Sequence, residues 1–229
     1  MALATKRLLS IGILTILTVL MLSRPLMGQA LPELKPQPLP ASLAQVAVGD
    51  DYADRLQTTP VGALLWTQFP VSVRIDLADS TDARAKVWQE AVTQAISDWS
   101  GLIELTQTTA AADITIRRAS LPLRRLADGK LAPVRFADTR FEFYNQDGRL
   151  RHRMVITLSP TQADRSLLSG ARHELGHALG IWGHSDRPTD VMYSSQVAQP
   201  PQISDRDRAT LRKVYTQSTR LGGSFPKMP

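Results

Sequence analysis

Val71, Val73, Ile75 and Leu77 alternate with Ser72, Arg74 and Asp76, the period of two expected of a strand buried on one face. From Asp82 the period lengthens. Trp88, Val92, Ala95 and Trp99 fall at i, i+4, i+7 and i+11, which predicts one long amphipathic helix, and Gly101 stands where a left-handed cap would close it. Extended segments are expected at 102–106 and 113–117, then at 134–144 and 152–159, the last two separated by a turn signal at 145–148. A second helix is expected over 166–180. Ser166 or Ser169 is its cap, Leu167, Leu168, Leu175 and Leu179 are its apolar positions, and Gly180 is its stop. Strands lead, one long helix interrupts them and another comes late, an α+β order rather than a regular βαβ alternation.

The first thirty residues follow a different pattern. Lys6 and Arg7 precede the apolar run from Leu8 to Leu22, and Gly28 and Ala30 supply small residues at the −3 and −1 positions of a cleavage site. Residues 1–30 therefore read as a secretory signal peptide. The alternative is an uncleaved N-terminal anchor, although fifteen residues at about 1.5 Å rise reach only about 22 Å of a bilayer core about 30 Å thick. A secreted or extracytoplasmic (periplasmic) protein is expected, membrane-anchored only if this segment is retained. Residues 31–40, with four prolines, suit an extended tether. Residues 41–60 read equally as more linker, a short pro-segment or the first wrap of the domain. One domain is expected over 61–217, with a tail at 218–229.

Composition narrows the chemistry. A hydrophobic content of 43% supports a packed core, and the absence of cysteine excludes disulfides, a thiolate nucleophile and any cysteine-based zinc cage. Loss of residues 1–30 removes Lys6, Arg7 and Arg24 and lowers the net charge from +6 to +3. That excess does not argue for nucleic acid. The clusters Arg117, Arg118, Arg124, Arg125 and Arg149, Arg151, Arg153 read as solvated strand ends and loops.

Three of the four histidines lie within "HELGHALGIWGH", from His173 to His184. Four residues apart on a helix, His173 and His177 project from one face and can converge on one ion. Zinc takes about four ligands, and a catalytic site leaves one position to water, so a third protein ligand is needed. A straight helix cannot supply it. Gly180 lets the chain turn back, and His184 is the nearest imidazole. Glu174, beside the first ligand, is placed to act as a general base toward a water activated by the metal. The fourth histidine, His152, reads as a solvated strand residue.

With "DVMYSS" following it, this segment resembles the metzincin zinc-peptidase signature, and most closely the matrixin branch, over about 70–215. The resemblance implies a metzincin-like zincin fold, with a twisted mixed sheet, long helices, an active-site helix and a small C-terminal part ending in a helix. It implies a zinc metalloendopeptidase with His173, His177 and His184 as metal ligands, Glu174 as catalytic base and Met192 as the Met-turn residue beneath the metal. Zinc is then the cofactor, with calcium a candidate second ion, and protein or peptide the substrate of a protein expected to be monomeric. Residues 203–215 are similar to the terminal helix of that branch, with Ser204 as cap and Asp207 completing a capping box. Segment 152–159 resembles the edge strand against which these enzymes lay a peptide, and Tyr193 reads as either a wall of the substrate pocket or plain packing.

Two departures from the family pattern matter: the missing cysteine, whose thiolate keeps many matrixins latent, so that any latency must use another device, and the place of the third histidine. His184 follows His177 by seven residues rather than six, and one extra residue spans up to about 3.3 to 3.6 Å. Gly183 is the residue expected to absorb it, and Asp186 is the alternative third ligand. This shift motivates a rival reading, a non-catalytic exported protein that keeps the zinc-site fold for binding or partner recognition.

Overall fold

A computed structural model describes residues 30–77, 82–123, 125–126, 128–132, 135–195, 197 and 199–226. The expected signal peptide, apart from Ala30, lies outside the described residues. The alternating run becomes strand β1 (Val71–Asp76), with Val71 and Val73 fully buried. Parallel partners flank it on both sides, β2 (Leu105–Gln107) and β3 (Ile114–Arg118). Next to β3 runs β5 (Arg149–Leu158), also parallel, and then β4 (Ala137–Gln146), antiparallel to β5, so that the order is β2-β1-β3-β5-β4. Asp147 and Gly148, both at positive φ, make the two-residue hairpin turn that joins β4 to β5. The segment expected at the edge is thus β5, paired along both flanks, and the edge strand is β4. Alternation reveals which side chains face the core but carries no information on which strand pairs with which.

Helix α2 (Ala83–Ser100) opens where the Asp82 carboxylate accepts a hydrogen bond from the Ala85 N–H, and it buries Trp88, Val92 and Trp99. Gly101 is right-handed, not left-handed, because the chain continues inward to place Leu102 and Ile103 in the core. Helix α3 (Asp164–Leu179) packs against α2 and also touches β4 and β5. It starts two residues ahead of Ser166, after Ala163 and with no side-chain cap, so neither Ser166 nor Ser169 has the expected role; Asp164 instead puts negative charge at the positive end of the helix dipole. Gly180, at φ 126°, ends it as expected. Helix α4 (Asp205–Tyr215) begins with the full Ser204–Asp207 capping box.

Residues 31–60 are no loose tether. Leu43, in the single helical turn α1 (Ala41–Ala44), and Tyr52 are fully buried, Lys35 pairs with Thr219, and Leu56 pairs with Gly183. The C-terminal residues return the contact. Thr219 and Leu221 are buried, and the Gly222 and Phe225 N–H groups donate to the carbonyls of Leu150 and Gly148. His152 is likewise a core residue rather than a solvated one, stacked on Trp66 with ring centroids 3.9 Å apart. Arg118 is no solvated strand end either: its side chain is buried and paired with Asp82. Among the described residues, no helix is long and apolar enough to cross a membrane.

Candidate metal centre

His173 and His177 lie one helical turn apart on α3, and both are buried. The Nδ1 of His173 sits 2.8 Å from the carbonyl oxygen of Val191, and that of His177 2.7 Å from the carbonyl of Ile181. Those carbonyls accept the imidazole N–H, so each Nε2 presents a lone pair; both Nε2 atoms are buried and make no hydrogen bond. The loop after Gly180 brings the His184 ring to 5.2 Å from that of His173 and 5.0 Å from that of His177, and one ligand nitrogen from each of the three lies within 4.8 Å of the others. Three converging imidazoles, two of them with the second nitrogen already committed to a carbonyl, form a donor set that fits zinc. Burial and mutual repulsion keep them neutral: His173 is lowered to about 3, His177 well below its usual value, and His184, by burial, to about 4. Asp186, the alternative ligand, lies outside this cluster and pairs instead with Arg55 and Arg206.

The extra residue is absorbed by tight turns. The Trp182 N–H donates to the Gly180 carbonyl and the Gly183 N–H to that of Ile181, at 2.8 and 3.0 Å, while the Ile181 and Trp182 side chains anchor the loop in the core. Gly183 does not use the conformational freedom expected of it, since it is not at positive φ. It is small because another stretch of chain is close: a Cβ there would lie 2.7 Å from the Arg55 carbonyl oxygen and 3.0 Å from the Leu56 Cα.

Glu174 follows the first histidine and is fully buried. Its Oε2 accepts a 2.6 Å hydrogen bond from the Thr139 hydroxyl of β4, and its Oε1 has no hydrogen-bond partner. Burial pushes the carboxyl up to about 8, and the Thr139 bond opposes that shift. Met192 is fully buried, and its Sδ packs so closely on Gly176 of α3 that a Cβ there would overlap it. The turn holding Met192 hangs from the final helix: the Asp207 carboxylate accepts the Val191 N–H at 2.9 Å, the Ser204 hydroxyl at 2.8 Å and the Tyr52 hydroxyl at 2.5 Å.

Tyr193 lines a cavity of about 30 Å³ beside His173, together with Ser169, Val191 and Pro201. That is room for a water or two. Sequence reasoning overlooked Thr139, whose threonine gives no local sign of reaching across to a helix, and Arg206, whose guanidinium bonds Asp190 and Ser185 beneath the site. For Asp207 it found the cap but not the contacts to Tyr52 and Val191. The matrixin family model matches residues 65–216 of the chain. No curated protein matches it.

Proposed function

The chain belongs to the matrixin family, one of zinc metalloendopeptidases, and on that premise we propose that it is an exported endopeptidase in which His173, His177 and His184 hold zinc and Glu174 is the general base. The observation that carries this reading is the meeting of three imidazoles, two with unpartnered buried Nε2 atoms, beside a carboxylate whose Oε1 is also unpartnered. When bound there, the metal supplies Lewis acidity toward a peptide carbonyl and acidifies water. Glu174 would take a proton from the attacking water at its Oε1 and deliver it to the leaving amine, so that no covalent enzyme intermediate would be required. The Thr139 hydroxyl holds the other oxygen and favours the ionised carboxylate, opposing burial.

Among the described strands β4 ends the sheet on this side, and the Thr139 contact puts it alongside Glu174, a placement that suits addition of an extended peptide as a further strand. The non-catalytic alternative drew its motive from the displaced third histidine, and the His184 ring lying 5.0 Å from that of His177 supports the catalytic reading instead. Glu174→Ala tests the assignment. The variant is expected to retain one equivalent of zinc by atomic emission while hydrolysis of an unfolded protein substrate, chelator-sensitive in the parent, falls by about 10² to 10⁴. Undiminished turnover refutes the role given to Glu174.

A further inference from the structure

We propose that residues 50–57, which precede the family match at 65–216, form a working part of the metal centre by positioning the loop that carries His184 and the Val191 turn that bonds His173. The inference rests on the ligand assignment above. Three sets of contacts support it. At the extra residue itself, Leu56 pairs with Gly183 and the Gln57 N–H donates to the Trp182 carbonyl at 2.8 Å, so the added turn is held from outside by the N-terminal segment. Gly183 admits that backbone only because it has no Cβ.

Tyr52 makes the second set. Its N–H donates to the Thr210 hydroxyl at 3.1 Å and its own hydroxyl to Asp207, whose carboxylate also holds the Val191 N–H. The Val191 carbonyl in turn accepts from His173, so Tyr52 reaches the first ligand through two hydrogen-bonded residues. The third set is ionic. Asp50 pairs with Arg187 at 2.8 Å and with Arg206 at 3.0 Å, tying the start of the segment to the loop beyond His184 and to α4. Two histidines take their places from a rigid helix, and the Tyr52 chain restrains the ring of the first of them through the Val191 carbonyl. His184 stands on a loop one residue longer than the family pattern, and a ligand's outer contacts fix its orientation and tune the metal.

A purely structural role for the segment is the competing account, because Leu43 and Tyr52 also bury apolar surface. The two are separated by measuring zinc dissociation constants by competition with a chromophoric chelator, alongside thermal unfolding of the metal-free protein. Three variants of the full chain are compared. Gly183→Ala pushes the segment off the loop, Tyr52→Phe removes the hydroxyl bonded to Asp207, and Ser42→Ala removes a hydrogen bond to the Leu102 carbonyl in the same wrap but away from the site. Gly183→Ala and Tyr52→Phe are expected to weaken zinc binding, the former by about 10 to 100-fold, while Ser42→Ala alters unfolding alone. Unchanged zinc affinity in the first two, or equal weakening in all three, overturns the proposal. If Gly183→Ala does not fold, Tyr52→Phe against Ser42→Ala decides it by the same criterion. A parent protein that takes up no zinc overturns the ligand assignment, and this inference with it.

Discussion

The half of the molecule made by residues 71–179 and the half made by 30–67 with 180–226 are held together on different terms. The first is a sheet and two long helices, in which backbone ladders satisfy the polar groups and periodic apolar side chains meet in the middle. Among the described residues the second has the 11-residue α4 and short single turns, and its order comes from contacts between distant stretches of chain: Tyr52 with Asp207 and Thr210, Lys35 with Thr219, Leu56 with Gly183. The candidate metal site draws two ligands from the first half and one from the second. A ligand pair on a helix is placed by helix geometry, whereas a ligand on a loop is placed only as well as the contacts that restrain the loop.

The largest effect expected from one substitution falls in the irregular half. Arg206→Ala leaves Asp190, 2% exposed, with the Ser185 hydroxyl as its one remaining side-chain partner among the described residues. Removing one member of a buried ion pair costs about 3 to 5 kcal/mol, and denaturant unfolding should register that loss. A cost near zero would mean that the irregular half is held by apolar burial and not by its polar links. Next come the places where the halves meet. Gly176→Val forces a branched side chain into the Met192 thioether, and overpacking of this kind costs about 1 to 3 kcal/mol. Should Met192 move aside at no cost in unfolding temperature, the two halves are less tightly fitted there than the packing indicates.

Smallest at neutral pH is His152→Phe, which exchanges one ring for another against Trp66. Its value lies in the pH dependence. Burial lowers His152 to about 3 from 6.5, with Arg151 adding to the shift, so the native protein keeps this ring neutral while the unfolded chain protonates it. Stability from that group is complete above pH 6.5 and is lost as pH falls toward 3, by roughly 1.4 kcal/mol per pH unit. Metal-free His152→Phe should therefore lose less stability than the parent between pH 7 and pH 4, read by thermal unfolding at each pH. Parallel curves for the two proteins would contradict the burial assigned to this ring.

Much of the sheet-and-helix half was legible because its signals are local. A period of two at Val71, Val73 and Ile75 and a period near 3.6 at Trp88, Val92 and Trp99 report a buried face whatever lies against it. The ends were less legible: α3 begins without the serine cap expected of it, and Gly101 ends α2 in a right-handed conformation because Leu102 and Ile103 must enter the core. Segment 41–60, too sparse in apolar residues for a periodic signal, left linker, pro-segment and first wrap of the domain equally open, and only the fold buries Leu43 and Tyr52. His152 misled because its own identity is polar and its burial depends on Trp66, far away in sequence.

At the site, the sequence by itself determined that His173, Glu174 and His177 stand together and that Gly180 turns the chain, since spacing on a helix and a glycine stop are properties of a short run of residues. Tertiary structure alone decided that β4 and not β5 lies at the edge, that Thr139 meets Glu174, and that the longer loop to His184 closes against Leu56 and Gln57. Strand order and loop anchorage depend on which distant surfaces fit one another, and periodicity along a chain describes only the surface that each segment offers.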